Sequence, residues 1–375
     1  MRHRALSVLV SMAMAVSMVP SIALADGTQV AEQTTSAVST VSKSVAPGDM
    51  TVLSNRESTL APGVTQNQVV VYDADGNRVQ YYVAEADMSV DTVGVYCSYR
   101  GMDNSSYGMS KLTEQVSSFN KSESYQGMAV AAMNASYYNM TTGKPLGAFV
   151  MQGNDVTTES EGNQYPYFAV MKDGSVKIGK KGEYSSDKGN IQEAVSIYTM
   201  LVQDGEIVAG TDAQTKYPRS TVGITAEGKV VIMSADGNQA PKSSGLTKYE
   251  QAEVMRSLGC VVAGELDGGG SATYGSKAEG ASSFAIENNP SDGSERSISN
   301  GLIIASTAVD DGSFDHAALS AENEYVTPGT ATKVSVTGAT LTGNKVDVPA
   351  DVTYAATGGT FENGVFTAGD SACEG

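Results

Sequence analysis

The chain has 375 residues, and its formal net charge is −18 at pH 7. This negative balance argues against nucleic acid or an anionic membrane surface as the main partner, because both bind basic surfaces. Hydrophobic residues make up 41% of the chain and glycine contributes 40 residues, which excludes a wholly disordered protein and is typical of a β-rich, turn-rich one.

The N-terminus has the three parts of a secretory signal peptide. Arg2 and Arg4 give a basic start, residues 5–19 carry no charge, and Ala-Leu-Ala at 23–25 fits a signal-peptidase site. The alternative, a membrane anchor, needs about 20 apolar residues, and this run is shorter. We therefore predict a signal peptide over 1–25, export to the medium or the cell surface, and no transmembrane segment.

Changes of composition along the chain place the borders of two or three expected domains. Residues 26–50 are predicted to be a Ser/Thr-rich linker, and 51–308 the main domain. A second linker over 309–317 leads to 318–375, whose alternating Thr/Val runs resemble bacterial Ig-like surface repeats. This segment is shorter than the about 100 residues of an Ig-like β-sandwich, so we predict a truncated sandwich.

Short apolar runs around X-Gly turns predict four antiparallel hairpins in the main domain. Their strands lie at 69–72 and 79–83, 168–171 and 175–178, 199–202 and 207–208, and 221–225 and 229–233. Further strands are predicted at 128–133, 261–266 and 301–305, and helices at 110–120 and 247–258. Thr247 and Glu250 have the spacing of a capping box at the start of the second helix. The predicted fold class is α+β, with mixed, largely antiparallel sheets and a few packed helices.

The cysteine pattern leaves two interpretations open. Cys97, Cys260 and Cys373 show no Cys-x-x-Cys spacing, so a zinc site is not indicated. In an oxidising compartment Cys97 and Cys260 could form a disulfide. Buried free thiols on two strands fit the same pattern at least as well.

Histidine is nearly absent, and this restricts the chemistry. It occurs only as His3, in the predicted signal peptide, and as His316. A Ser-His-Asp or Cys-His catalytic set, or a metal site with several histidines, is therefore not expected. Catalysis would use carboxylates, Arg, Tyr, Ser, Asn and backbone groups. The chain has no Trp, so sugar stacking would fall to Tyr or Phe.

The segment 265–271, Glu-Leu-Asp-Gly-Gly-Gly-Ser, is the clearest candidate site. Three glycines after a predicted strand let the backbone turn sharply and approach a ligand with its N–H groups exposed. In strand geometry Glu265 and Asp267 point to the same face. The alternative is a tight glycine turn in which Asp267 caps a backbone N–H.

From about 56 to 306 the chain resembles the phosphodiester glycosidase family, because motifs of that family occur in the same order. The corresponding segments are Leu-Ala-Pro-Gly-Val at 60–64, 133–138 with 142–147, Arg-Ser-Thr-Val-Gly-Ile at 219–224, the stretch 236–258, Leu-Asp-Gly-Gly-Gly-Ser at 266–271, and 295–300. The chain departs from the family at 135–138, where Ala-Ser-Tyr-Tyr replaces Gly-Gly-Phe-Phe. It also departs at 197–199, where the family often has Gly-Gly-Pro, and at Glu265, where the family usually has Asn.

The resemblance implies a glycosidase that cleaves the sugar C1–O bond of a sugar-1-phosphodiester, similar to an N-acetylglucosamine-1-phosphodiester. The products would be a free sugar and a phosphomonoester. A phosphomonoester has a second pKa of about 6, so it leaves more readily than a sugar alkoxide. Cations can then take the place of a strong general acid. The implied partner is a glycan or sugar-phosphate substrate.

The resemblance also assigns roles to individual residues. Asp267 would be the nucleophile, general base or oxocarbenium stabiliser, and Glu265 a second catalytic carboxylate or else a rim residue. Substrate contacts are expected from Asn134, Tyr137, Arg219, Gly268, Gly269, Gly270, Ser271, Arg296 and Asn300.

These assignments have structural alternatives. Arg219 and Arg296 would grip phosphate or else form structural ion pairs. Asn134 would bind the sugar or else form a turn, and Tyr137 would stack on the ring or else lie in the core. No cofactor is predicted, although Asp267 with nearby backbone carbonyls leaves a Ca²⁺ site open.

A second function remains compatible with the sequence. The same fold without its chemistry would be a cell-surface module that binds glycans or mediates adhesion, as an Ig-like tail suggests. The intact Asp-Gly-Gly-Gly-Ser segment and the two arginines favour the enzyme. The oligomeric state is not predicted.

Overall fold

A computed structural model describes residues 44–370, apart from 104, 126, 212–213 and 324–325. The predicted signal peptide, the predicted linker up to residue 43, and Cys373 lie outside the described residues. Within the described part, no helix has the length and apolar character needed to cross a membrane.

Strands dominate the described residues. They are β1 Thr51–Ala61, β2 Val64–Tyr72, β3 Arg78–Ala86, β4 Val93–Tyr99, β5 Met128–Asn134, β6 Phe149–Met151, β7 Asn154–Asp155, β8 Tyr167–Met171, β9 Val176–Gly179, β10 Ile191–Ser196, β11 Thr199–Gln203, β12 Glu206–Ile207, β13 Arg219–Thr225, β14 Val230–Ala235, β15 Cys260–Glu265, β16 Tyr274–Ser276, β17 Ala285–Ile286, β18 Asn300–Ser306, β19 His316–Ala321, β20 Ala331–Ala339, β21 Lys345–Val346, β22 Gly359–Glu362 and β23 Val365–Ala368. The α-helices are α1 Leu112–Lys121, α2 Glu159–Gly162, α3 Tyr184–Asp187 and α4 Lys248–Ser257. Single 3₁₀ turns lie at Arg100–Met102, Lys188–Asn190 and Gly269–Ser271.

Three antiparallel sheets build the main domain. The largest has the order β1-β2-β3-β14-β13-β15-β11-β12, and the other two are β7-β6-β10-β8-β9 and β17-β16-β5-β18-β4. One buried apolar cluster takes side chains from all three, for example Ile232, Phe168 and Met133. The three sheets therefore share a core, which confirms the predicted fold class.

The four predicted hairpins are confirmed as β2–β3, β8–β9, β11–β12 and β13–β14. Each turn is a short polar segment with a glycine at positive φ: Gly76, Gly174, Gly205 and Gly228. Local turn chemistry sets the register of these pairs. The predicted strands that become β5, β15 and β18 are also present, shifted by a residue or so at their ends.

Helix α4 forms where the capping box predicted it. The Thr247 side chain accepts a hydrogen bond from Glu250 N, and the Glu250 side chain accepts one from Thr247 N. Such a cap contributes about 1 kcal/mol. Ala252, Val254 and Met255 are buried in a second core cluster against the eight-stranded sheet. That cluster also buries Ala46 and Met50, two residues of the predicted linker.

The C-terminal residues form a separate small sheet. β22 and β23 make a hairpin, and β23 pairs with the first residues of β20. Its core contains Val326, Val334, Phe366 and Ala368. The Ig-like sandwich predicted for 318–375 stays a prediction, since one sheet does not make a sandwich.

The cysteine question is answered for two of the three residues. Cys97 on β4 and Cys260 on β15 are buried, form no disulfide and lie on different sheets. No disulfide joins them in this structure.

Candidate active site

The glycine-rich loop after β15 lies where two sheets meet. Leu266 N donates to Ser220 O on β13 at 2.8 Å, and Asp267 N donates to Ala135 O just after β5 at 2.8 Å. Gly269 N donates to Pro218 O at 3.0 Å. The loop is thus tied to both the eight-stranded sheet and the sheet that contains β5.

The loop needs its glycines for space and conformation. Gly269 has a φ of +60°, a left-handed conformation that favours glycine. A Cβ on Gly268 would lie 2.6 Å from Pro218 O, and one on Gly270 would collide with Arg296 and Asp292. Among the described residues, no acceptor engages the Gly270 N–H. That amide is thus left as a donor for an anionic ligand.

Asp267 is the carboxylate that remains accessible to a ligand. It is half-buried, and burial raises the pKa of its carboxyl from 3.8 to about 6. Hydrogen bonding to Ser271 and the charge of Arg296 act in the opposite direction and limit the rise. A carboxyl with a pKa near neutrality in a cleft is a frequent property of catalytic acids and bases.

Glu265 is bound on both oxygens by cations. Its side chain is buried, with Arg219 Nη1 at 2.7 Å from Oε1 and Lys248 Nζ at 2.8 Å from Oε2. Arg219 begins β13 and Lys248 is the first residue of α4. The three side chains form an ion cluster, buried at Arg219 and Glu265, that carries one net positive charge and favours a nearby anion.

Arg219 is held by the protein on all three nitrogens. Nη1 donates to Glu265, Nε donates to Leu246 O at 3.0 Å, and Nη2 donates to Thr215 O at 3.2 Å. Its side chain is only 9% exposed. Arg219 therefore forms the structural ion pair that was the alternative to phosphate binding. Little of its guanidinium is left to contact a phosphate.

Arg296 is the more accessible arginine. Its side chain is 30% exposed and pairs with Asp292 through Nε and Nη2, each 2.8 Å from Oδ2. Nη1 lies 3.4 Å from Ser271 Oγ. The guanidinium therefore stands beside the glycine loop with donors left over for an anion.

Asn134 and Asn300 both use their side chains to hold the site together. Asn134 Oδ1 accepts from Ser220 Oγ at 2.8 Å and Thr273 N at 3.0 Å, and its Nδ2 donates to Asp267 O. Asn300 Oδ1 accepts from Ser136 N at 2.8 Å. Asn134 thus links β5, β13 and the glycine loop in one set of hydrogen bonds.

Three tyrosines form a row beside the carboxylates. The Tyr198 ring lies 4.6 Å from the Tyr137 ring and 6.1 Å from that of Tyr165, between ring centroids. Lys248 Nζ stands 5.4 Å from the Tyr198 ring centroid, a cation–π distance. Burial, with the charges of Glu265 and Asp267, raises the pKa of Tyr137, so the phenol is neutral. Tyr198 is 47% exposed.

The predicted site residues therefore come together, but in two groups. Around Asp267 lie Gly268, Gly269, Gly270, Ser271 and Arg296, while Glu265, Arg219 and Tyr137 cluster with Lys248. Asn134 and Asn300 brace the loops between them. The sequence analysis did not identify Lys248 or Tyr198 as site residues. The signal for Tyr198 is its position in the segment 197–199, which departs from the family motif.

No group of three His, Cys, Asp or Glu side chains suited to a metal ion occurs among the residues the structure describes. Of the three carboxylates beside the glycine loop, Glu265 holds two cations and Asp292 pairs with Arg296. Asp267 is therefore the carboxylate left for a Ca²⁺ ion.

A family model described as phosphodiester glycosidase (NAGPA) matches residues 127–305. Mouse N-acetylglucosamine-1-phosphodiester alpha-N-acetylglucosaminidase is 30% identical over 162 residues, covering 38% of this chain and 31% of the mouse protein. The SPbeta prophage-derived uncharacterized protein YomE of Bacillus subtilis is 32% identical over 146 residues, covering 36% of this chain and 21% of YomE. The chain thus spans at most about a third of the length of these relatives.

Solved structures show the same fold. The catalytic domain of zebrafish N-acetylglucosamine-1-phosphodiester alpha-N-acetylglucosaminidase, auto-inhibited by its pro-peptide, has a TM-score of 0.50 at 21% identity, covering 67% of this chain and 88% of that one. A hypothetical protein from Synechocystis has a TM-score of 0.54 at 13% identity, covering 68% of this chain and 64% of the Synechocystis protein.

Proposed function

We propose that this protein is a phosphodiester glycosidase that hydrolyses the C1–O bond of a sugar-1-phosphodiester and releases a free sugar and a phosphomonoester. The observation that carries the proposal is Asp267, with its raised pKa, beside the glycine loop and Arg296. The match of residues 127–305 to the glycosidase family model supports the same reaction class.

The charges of the site suit this reaction. A departing phosphomonoester accepts negative charge easily, because its second pKa is about 6. Arg296 and the free Gly270 N–H would stabilise that charge as the C1–O bond breaks. The Arg219–Glu265–Lys248 cluster adds a net positive charge nearby, which a strongly acidic protein needs in order to hold an anionic substrate.

The two carboxylates have different parts in the proposal. Asp267 acts in its ionised form on the sugar, as nucleophile, general base or oxocarbenium stabiliser. Glu265, bound by two cations, positions Arg219 and Lys248. Gly268, Gly269, Gly270 and Ser271 bind phosphate or sugar hydroxyls, and Tyr137 borders the sugar. Asn134 and Asn300 position the loops that carry these groups.

We infer export from the N-terminal sequence, with a glycan or sugar phosphate outside the cytoplasm as substrate. The name of the mouse relative supports N-acetylglucosamine as the first sugar to test.

Sugar release tests the proposal. The protein from Asp26 onward is incubated with UDP-N-acetylglucosamine and with the methyl diester of N-acetylglucosamine 1-phosphate, and free sugar is quantified. We expect release by the wild type and at least a hundredfold loss in Asp267→Asn, with the fold checked by circular dichroism. Glu206→Gln, which alters an exposed carboxylate of β12, should retain release at the wild-type rate.

Release that is equal in Asp267→Asn and the wild type would remove Asp267 from the mechanism. An absence of release from every sugar-1-phosphodiester offered to the folded protein would contradict the proposed reaction.

A further inference from the structure

A cleft of about 830 Å³, lined by both apolar and polar residues, lies next to the segment that carries Arg296. Its lining includes Lys111 at the start of α1, Lys242, Gln239, Asn289 and Ser294. Residues 286, 288–290 and 293–295 line the cleft. The next residue along the chain, Arg296, stands beside Ser271 of the glycine loop.

Hydrogen bonds hold the wall of the cleft in place. Asp236, which is buried, accepts hydrogen bonds from Asn288 Nδ2 at 3.0 Å and from Asn289 N at 3.0 Å. Asn288 Nδ2 also donates to Ala272 O, the residue after the glycine loop, at 3.2 Å. Gln239 Nε2 closes the wall by donating to Asn289 O at 2.9 Å. The position of the wall is therefore fixed relative to the catalytic loop.

The cleft carries unpaired positive charge. Among the described residues, neither Lys111 nor Lys242 has a carboxylate within ion-pairing distance of its ammonium group. Glu295 also lines the cleft, and the hydrogen bonds that its oxygens accept from Thr113 do not offset its charge. The lining thus has two ammonium groups and one carboxylate. In a chain of net charge −18, this local excess of positive charge favours an anionic ligand.

We propose that this cleft binds a second phosphate, carried by the leaving group of the substrate beyond the phosphate that is released from the sugar. The inference rests on the proposed function, because it takes Arg296 as the contact to the first phosphate. Lys111 and Lys242 would then contact the next phosphate along the leaving group, whether that phosphate belongs to a nucleoside diphosphate or to a phosphate-linked polyol polymer.

Binding, which needs no turnover, tests the cleft directly. Isothermal titration calorimetry with UDP is run on the wild type, on Lys111→Gln/Lys242→Gln, and on Lys180→Gln/Lys181→Gln as a control. The control removes the same charge from exposed lysines that do not line the cleft. We expect the Kd for UDP to rise about tenfold in the cleft variant, as for two exposed phosphate contacts, and to change less than twofold in the control.

Competition identifies the source of the phosphate. Displacement of UDP by poly(glycerol phosphate) would support a polymer, and a lack of displacement, with UDP bound through the lysines, would support a nucleotide. Unchanged UDP affinity in the cleft variant, or an equal loss in the control, would overturn the proposal.

Hydrolysis separates this inference from the proposed function. The methyl diester of N-acetylglucosamine 1-phosphate has a single phosphate, so the cleft variant should hydrolyse it at the wild-type rate. Its KM for UDP-N-acetylglucosamine should rise about tenfold. If no variant hydrolyses either compound, the proposed reaction fails while the UDP titration still decides whether the cleft binds phosphate.

Discussion

At the scale of single residues, two carboxylates only two positions apart have opposite environments. Glu265 ends a strand and meets Arg219 and Lys248 at ion-pair distances on both oxygens. Asp267 is half-buried, and desolvation dominates its titration. The first holds cations in place, while the second can exchange a proton near neutral pH. Such divergence within a pair of carboxylates is how active sites divide their roles.

We expect kcat/KM to rise with pH through a midpoint near 6, because Asp267 acts as the ionised form and its pKa is about 6. A phosphodiester substrate does not titrate in this range, so the midpoint reports the enzyme. The measurement is sugar release from the methyl diester between pH 4.5 and 8.

Ser271→Ala provides the matched variant for that profile. The Ser271 hydroxyl lowers the pKa of Asp267, so its removal should move the midpoint upward. A profile that is flat through pH 6, or a midpoint that moves downward in Ser271→Ala, would contradict the assignment.

The sequence could predict Asp267 because the residue lies in a contiguous motif with a glycine turn. It could not predict the partners of Glu265, because Arg219 is 46 positions away and Lys248 belongs to a different element. Only the antiparallel pairing of β13 with β15 brings Arg219 and Glu265 together. Side-chain contacts of this kind depend on tertiary packing, which local patterns do not encode.

At the scale of elements, the glycine loop is a packed joint between sheets. Its backbone donates to Ser220 O, Ala135 O and Pro218 O, and its outer face is filled by Arg296 and Asp292. The hairpins β2–β3, β8–β9, β11–β12 and β13–β14 were predictable because each has a local X-Gly turn. The glycine loop was only partly predictable. Its glycines are visible in the sequence, but its contacts with Arg296, Asp292 and the neighbouring strands are not.

We expect Gly270→Ala to lower kcat/KM at least tenfold, because the new Cβ would collide with the Arg296 guanidinium and displace it from the loop. The φ of Gly270 is not in the left-handed region, so the backbone should tolerate alanine and the melting temperature should fall by only a few degrees. Kinetics and calorimetry on the same preparation measure both.

Gly210→Ala is the control for that substitution. A Cβ on Gly210 would meet nothing within 4 Å, and its φ is also ordinary, so both activity and melting temperature should stay at wild-type values. Wild-type kcat/KM in Gly270→Ala would show that Arg296 is not needed at its present position.

At the scale of the whole molecule, three sheets share one core, and a carboxyl group is buried within it. Glu193 on β10 accepts hydrogen bonds from Cys97 N on β4 and from Gln152 N, each at 3.1 Å. It thus links two of the sheets. Burial raises the pKa of the Glu193 carboxyl from 4.5 to about 8.

We expect the free energy of unfolding to fall as the pH rises from 5 to 8. The folded pKa of Glu193 is above its unfolded value, so its contribution is fully present below pH 4.5 and is lost as the pH passes about 8. The slope approaches about 1.4 kcal/mol per pH unit for one such group. Urea unfolding at pH 5, 6.5 and 8 measures it.

Glu193→Gln should be less stable than the wild type at pH 5, because glutamine has one acceptor oxygen for two backbone N–H groups. Its unfolding free energy should depend less on pH, since the titrating group is gone. A variant that keeps the full pH slope would mean that other groups cause it.

Strands from the N-terminal part of the main domain pair with strands from its C-terminal part. This pairing sets the smallest segment of the chain that can fold around the candidate site. β14 lies beside β3, and β18 lies beside β4, yet both early partners precede residue 127, where the family match begins. A fragment cut to 127–305 would expose two long strand edges in the interior of its sheets, a template for aggregation. The match to the family model thus covers only part of the folding unit, which begins near Val45. Any transplant of this site to another protein has to take the upstream strands with it.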